Sequence, residues 1–295
     1  MLSLEQLSVL LESNRAAAAA RVREFSLGGQ EFQFNSQPAI MGVVNLSADS
    51  WYRESVCLSA DAAIHRGKVL AAQGAQIIDV GAESTLAHAV RVGNAAQKSK
   101  LIPVIKALRK EKILVSVETY SPAVTCASLA AGANILNLTG TAGSKDLYKL
   151  VADHDAAVII CYVAGKNVRE VGHFELSADP LPMLRGFFAR QIELAQKCGV
   201  KKIFIDPGLG FYYRNLQDSA VRVRHQMNIF LNTFRLRELG FPVCHALPHA
   251  FEFFGEEVRC AESFFAVLAA LGKTDLFRTH EVPRIKAVLD TLKTF

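Results

Sequence analysis

A chain of 295 residues with 51% hydrophobic and 21% charged side chains holds enough apolar material for a large core and too little charge to stay disordered. Its 33 basic against 28 acidic residues leave a formal charge of +5 with no lysine- or arginine-rich block, which excludes a nucleic-acid-binding arm and leaves room for a local anion site. The six cysteines (Cys57, Cys126, Cys161, Cys198, Cys244, Cys260) contain no C-x-x-C pair and read as small core residues rather than a zinc cluster. No stretch reaches the ~18 apolar residues of a membrane span, and the first residues lack a cationic, then apolar leader. The expectation is a cytoplasmic protein without a membrane partner.

In chain order, residues 4–24 are alanine-rich and favour helix, with Leu4, Leu7, Leu10 and Leu11 on one face for docking. Two short alternating runs flank Gly28-Gly29, a hairpin signal that suits a lid over one end of a barrel. Residues 1–37 are thus read as an extension and 38–295 as the main domain. From residue 38 short apolar runs alternate with helical segments. The expected strands are 39–46, 77–81, 113–119, 135–140, 157–163, 203–208, 242–247 and 276–281, each apolar as befits parallel strands buried on both faces. Helical patterns follow each, several ending in a glycine stop (Gly74, Gly132, Gly199, Gly240, Gly272). Eight strand–helix units point to a closed (β/α)8 TIM barrel of the α/β class. An open doubly wound sheet is the alternative, though no dinucleotide fingerprint or P-loop follows any strand.

A barrel carries its chemistry at the C-terminal ends of its strands. There this sequence turns polar: Asn45 on the first strand; Asp79 on the second, then Glu83, Ser84 and Thr85; Glu118 and Thr119 on the third; Asn137 on the fourth; Asp206 on the sixth; His245 and then His249 on the seventh; Arg278 and His280 on the eighth. So many polar groups converging on one rim imply a ligand site. Asp79, Glu118 and Asp206 are flanked by apolar residues and need donors to offset desolvation. A heterocycle with adjacent N–H and amino groups supplies two parallel donors to one carboxylate. Asn137 can both donate and accept, Arg278 and His280 can meet an anion, and Phe211 offers a flat stacking face. A polar aromatic heterocycle bearing an anionic group fits these parts.

The segments "IMGVVNLSADSW", "GAQIIDVGAEST", "SVETYSPAV", "AGANILNLTG", "DPGLGF" and "RTHEV" resemble, in order and spacing, the motifs of the dihydropteroate synthase family over roughly residues 38–292. That resemblance implies a pterin deep in the barrel and a diphosphate at the rim. It implies a transferase that joins a pterin-methyl diphosphate to 4-aminobenzoate, with magnesium accompanying the diphosphate and no tightly bound organic cofactor. Carried over by motif, Asp79, Glu118, Asn137 and Asp206 contact the pterin. Asn45, Thr85, Arg278 and His280 surround the pyrophosphate, Asn45 next to the metal. The family also implies a homodimer; the apolar runs at 251–254 and 262–271 serve as core or as its interface.

Several positions depart from the family pattern. Pro248, His249 and Ala250 stand where it has a serine-arginine-lysine run, Leu86 for an arginine, Tyr213 for a lysine, and Ala48 for a proline. Leu138 replaces an acid, Ala82 a glycine, and Glu118 an aspartate. Most of these losses concern the acceptor side, so an altered acceptor or reduced activity is the expectation. A non-catalytic pterin- or folate-binding homologue, or a relative of methyl-folate-dependent methyltransferases, is the alternative. Metal-assisted hydrolysis through Asp79, Glu118, Asp206, His245 and His280 is a third reading.

Overall fold

The computed structural model describes residues 2–47, 49, 52, 55–85, 89–173, 177–211, 218–248 and 250–294, with the backbone alone at Phe251. After α1 (Leu4–Glu12), α2 (Arg15–Ala18) and the strands β1 (Phe25–Leu27) and β2 (Gln30–Phe32), the chain settles into strand–helix alternation. Its first half runs β3 (Ala39–Asn45), α3 (Ala60–Ala72), β4 (Ile77–Gly81), α4 (Asn94–Lys110), β5 (Leu114–Thr119), α5 (Pro122–Ala130), β6 (Ile135–Leu138) and α6 (Ser144–Asp153). Its second half runs β7 (Ala157–Cys161), α7 (Leu181–Lys197), β8 (Lys202–Asp206), α8 (Ser219–Asn232), β9 (Cys244–Ala246), α9 (Phe251–Phe254), α10 (Ala261–Leu271), β10 (Leu276–Thr279) and α11 (Val282–Leu292). All eight expected strands are present. Six of them stop short of the expected C-terminal end, because there the chain peels off into the loops that carry the polar groups.

The parallel strands pair in the order β8-β7-β6-β5-β4-β3-β10-β9. A parallel bridge between Ile205 and Val243, with the Ile205 N–H donating to the Pro242 carbonyl at 3.0 Å, joins the two ends into a barrel. The open-sheet alternative is thereby excluded.

The strand period of two decides what the barrel encloses. Residues facing the interior are apolar at the strand starts: Met41, Ile77, Leu114, Ile135, Ala157, Phe204, Cys244 and Leu276 share one buried cluster. Two residues further along most strands the same face turns polar, giving Asp79, Ser116, Asn137, Asp206 and Arg278, with Glu118 after Ser116. Residues of opposite parity, such as Ile78, Val115, Leu136, Ile203 and Phe277, pack outward against the helices. The barrel therefore has an apolar base and a polar top.

The N-terminal hairpin plugs the base. Gly28 (φ +55°) and Gly29 (φ +87°) supply the left-handed turn that joins β1 to β2. Phe34 meets Phe204 of the barrel edge-on at 5.4 Å, contacts Phe25 at 5.4 Å, and stacks on Phe32 at 5.5 Å. The expected helix over 4–24 is in fact two. Asn14 turns its side-chain amide onto the Leu10 carbonyl at 2.9 Å, and such local side-chain bonds compete with helix continuation. Leu7 and Leu10 pack on the core, whereas Leu4 and Leu11 are exposed, so the leucine face is only half used.

Truncating Phe34 should expose how much the plug contributes. Phe34→Ala removes a buried aromatic from three ring contacts and is expected to destabilise the fold by about 3 kcal/mol in urea denaturation. A loss below about 1 kcal/mol would mean that the hairpin is not part of the cooperative core.

Candidate functional site

The barrel's polar top is organised around one guanidinium. Arg278, on β10, points inward because Leu276 beneath it does, and it reaches across the barrel to β4 and β5. Its Nε donates to Asp79 Oδ2 at 2.7 Å and its Nη2 to Glu118 Oε2 at 2.5 Å. Asn137, paired with Glu118 in the β5–β6 register, donates from Nδ2 to the same Asp79 oxygen at 3.1 Å. The amide oxygen of Asn137 accepts from Cys161 Sγ at 3.3 Å. Asp79 Oδ1, in contrast, is buried with no partner among the described residues. A buried acceptor left unmade costs about 1–3 kcal/mol, so this oxygen is suited to a donor that comes from a ligand.

Asp206 closes the other side. Pro207 ends β8, and Gly208, at φ +76°, turns its N–H back onto Asp206 Oδ1 at 2.8 Å. Burial pushes Asp206 up to about 6, against the opposing pull of that N–H and of Arg278. Burial likewise raises Glu118, to about 7, with Arg278 opposing and the neighbouring carboxylates Asp79 and Asp206 adding to the rise. Three acids on one ring resist simultaneous ionisation, and Arg278 is the charge that makes it tolerable. Its own pKa is held above the ordinary arginine value by Asp79 and Glu118 in spite of burial.

Above this floor opens a cleft of about 930 Å³, counting the open space at its mouth. Asn45, Thr85, Glu118, Asn137, Asp206, Phe211, Arg278 and His280 all line it. Asp79 lies just behind, fully buried under Arg278 and Asn137. The nine site residues expected from the motifs are thus brought together in one place.

The comparisons with known proteins fall in line with this arrangement. Residues 41–247 match the family described as pterin binding enzyme. Dihydropteroate synthase of Streptococcus pyogenes is 31% identical over 278 residues, covering 89% of this chain and 98% of the relative. The chain belongs to the dihydropteroate synthase family. A probable bifunctional folylpolyglutamate synthase/dihydropteroate synthase of Haloferax volcanii is 29% identical over 273 residues, 89% of this chain but only 31% of that longer protein. The solved structure of Xanthomonas albilineans dihydropteroate synthase with 4-aminobenzoic acid matches with a TM-score of 0.76 at 26% identity, covering 92% of this chain and 97% of that one.

Other expectations need correcting. His245 does not face the site. It lies between the inward Cys244 and Ala246 and so points out, where its Nε2 meets Thr233 Oγ1 at 2.7 Å and its ring packs on Phe230. Burial drives its pKa down to about 3, which keeps the imidazole neutral. The metal-hydrolase set loses that ligand, and no group of three or more His, Cys, Asp or Glu side chains that could hold a metal exists among the described residues. Pro248 lines the cleft, whereas Ala250, 1% exposed, packs into the outer core. Ala48, Leu86, Tyr213 and His249 lie outside the described residues.

Some residues that shape the site had no sequence signal. Arg169, in the loop after β7, donates to the Ser84 carbonyl at 2.9 Å and to that of Ala89, holding the loop after β4 in place. Gln226 on α8 donates to the Leu209 carbonyl at 3.0 Å and steadies the loop before Phe211. Tyr120 donates to Glu83 Oε2 at 2.7 Å, so Glu83 is tied to the wall.

The Arg278 pairing predicts a pH-dependent stability defect. Arg278→Ala leaves Asp79 and Glu118 buried without a counter-ion, which costs about 3–5 kcal/mol when the acids are ionised. Removing the guanidinium raises folded-state pKa values that already stand at about 7 and about 6. A raised carboxylate pKa stabilises the folded state at pH values below the unfolded pKa, and that contribution is lost as pH rises through the folded value. The defect should therefore be largest at pH 8 and shrink towards pH 5 in thermal denaturation. A defect that is the same at both pH values would disprove the charge argument.

Proposed function

We propose that this protein is a dihydropteroate synthase-type transferase, which takes a pterin-methyl diphosphate and joins the pterin to an arylamine such as 4-aminobenzoate. The observation that carries this reading is the single cleft uniting Asp79, Glu118, Asn137, Asp206 and Arg278 with Asn45, Thr85 and His280 in a chain of this family. The floor offers acceptors for a heterocycle's N–H and amino edge, and the rim offers cations for a diphosphate.

In the reaction the C–O bond between the pterin methylene and the diphosphate breaks, and its electron pair leaves with pyrophosphate. The arylamine nitrogen forms the new C–N bond and releases its proton to solvent. Positive charge develops on the pterin as negative charge gathers on the leaving group. The buried carboxylates stabilise the first, and Arg278 and His280 the second, so the catalytic work is mainly electrostatic. Asp79 offers Oδ1 to the pterin as it stands and Oδ2 only as Arg278 releases it, and the incoming diphosphate is the natural competitor for that guanidinium. Phe211 supplies a face for ring stacking.

Asn45 turns its Nδ2 to Ser55 Oγ at 2.6 Å, which makes Oδ1 the amide's ligating atom. An oxygen donor beside a diphosphate suits magnesium, a hard cation usually held by few protein oxygens together with substrate phosphates. Magnesium bound there would offset charge on the leaving group. We read the protein as a cytoplasmic homodimer with no nucleic-acid or membrane partner. No helix among the described residues is long and apolar enough to cross a membrane, and the exposed Phe253, Phe264 and Leu271 on α9 and α10 offer an apolar face.

Asp206→Asn is the variant that tests the floor. Losing one charged hydrogen bond costs about 1.5–3 kcal/mol, so pterin affinity should fall roughly ten- to a hundredfold in calorimetric titration. Undiminished affinity would remove Asp206 from the pterin contact. A steady-state assay of dihydropteroate formation tests turnover directly, and pterin binding without product would make the protein a binder rather than a transferase.

A further inference from the structure

Glu262 has no part in the floor or in the family motifs, yet it is a fully buried carboxylate one shell behind the rim. It lies in the first turn of α10, and four donors converge on it. Thr279 Oγ1 donates to Oε2, the His280 N–H to Oε2 at 3.2 Å, the Glu281 N–H to Oε2 at 3.3 Å, and His280 Nδ1 meets Oε1 at 3.0 Å. The Thr279 hydroxyl accepts from the Glu281 N–H at 2.9 Å, so its own proton is directed at Glu262. Four donors on one carboxyl group favour its ionised form, and the N-terminus of a helix adds favourable potential. Glu262 is therefore held as an anion, and its one ionisable neighbour among those donors is His280.

We propose that Glu262 is a positioning residue for His280. It accepts the Nδ1–H, which fixes the ring's orientation, and keeps both ring nitrogens protonated, so that an imidazolium meets the anionic end of the substrate. With Nδ1 engaged by Glu262, contact with a ligand oxygen runs through Nε2. His280 lines the cleft with a side chain 12% exposed, so the charge is set inside the protein and used at its surface. Other charged groups among the described residues near the ring have partners of their own. Tyr52 stacks on the imidazole at 4.4 Å and 27° and gives its hydroxyl proton to Glu281. Glu281 is neutralised by Arg259 at 2.5 and 3.0 Å and by Arg284 at 3.3 Å. Arg278 is directed at Asp79 and Glu118, and Arg66 reaches only the His280 carbonyl, at 3.5 Å. Glu262 is in direct contact with the ring. This assignment deepens the transferase reading, since the charged ring serves the diphosphate of that reaction.

The test separates the two. NMR titration of the ligand-free protein, with the His280 signal identified by its loss in His280→Gln, needs no substrate. The His280 midpoint should lie above the ordinary ~6.5 and fall by about one pH unit or more in Glu262→Gln. Inorganic pyrophosphate should bind Glu262→Gln about tenfold more weakly at pH 7.5, because affinity declines as pH rises through the histidine midpoint and that decline moves to lower pH. Pterin affinity should be unchanged, and Glu262→Gln should have no further effect on pyrophosphate in the His280→Gln background. An equal midpoint in parent and variant overturns the proposal. Should Glu262→Gln not fold, a parent midpoint at or below 6.5 overturns it alone. If neither pterin nor pyrophosphate binds the parent, the transferase reading fails while the titration still decides the role of Glu262.

Discussion

The guanidinium of Arg278 lies between two carboxylates that have almost no access to water, and the rest of the polar top follows from that placement. Asp79 and Glu118 stand on neighbouring strands, with Asp206 across the ring, close enough that Asp79 makes ionisation of both Glu118 and Asp206 harder and Asp206 that of Glu118. Without a shared cation the barrel would have to carry these acids protonated. With Arg278 they can be held as anions, ready to receive N–H donors. The pairing also makes Arg278 a connector. It stands with the floor acids on one side and, two residues before His280 in the chain, with the anion end on the other.

The same economy shapes the rim. His280 carries Glu262 behind it and Tyr52 across its face, and Tyr52 is tied to Glu281 and its two arginines. Charges in this region come as compensated groups rather than singly, as low-dielectric surroundings require. A hydrophobic base closed by Phe25, Phe32, Phe34 and Phe204 leaves the opposite end as the barrel's route to solvent.

Much of this was legible beforehand, for identifiable reasons. Buried parallel strands are apolar runs, so the eight runs stood out, and a polar residue at the end of such a run is costly enough to be noticed. Asp79, Glu118, Asn137, Asp206 and Arg278 were found on that ground. For His245 the polar character near a strand end reveals the position and not the face; its parity relative to Cys244 and Ala246 turns it outward. The helix expected over 4–24 overlooked Asn14, whose side chain satisfies the backbone by other means. Glu262 and Arg169 sit on a helix and a distant loop, and an isolated charge there looks like ordinary surface. Only the fold brings Glu262 under His280 and Arg169 onto the Ser84 carbonyl.

The central claim is that one cleft binds a pterin and an anion and that Arg278 links the two. Calorimetric titration of a pterin, with and without saturating inorganic pyrophosphate, tests it most directly. Pyrophosphate that recruits Arg278 frees Asp79 and Glu118 for the pterin, and coupling between two ligands is reciprocal. The account predicts tighter pterin binding when pyrophosphate is present. No pterin binding under either condition, or the same affinity in both, would contradict it.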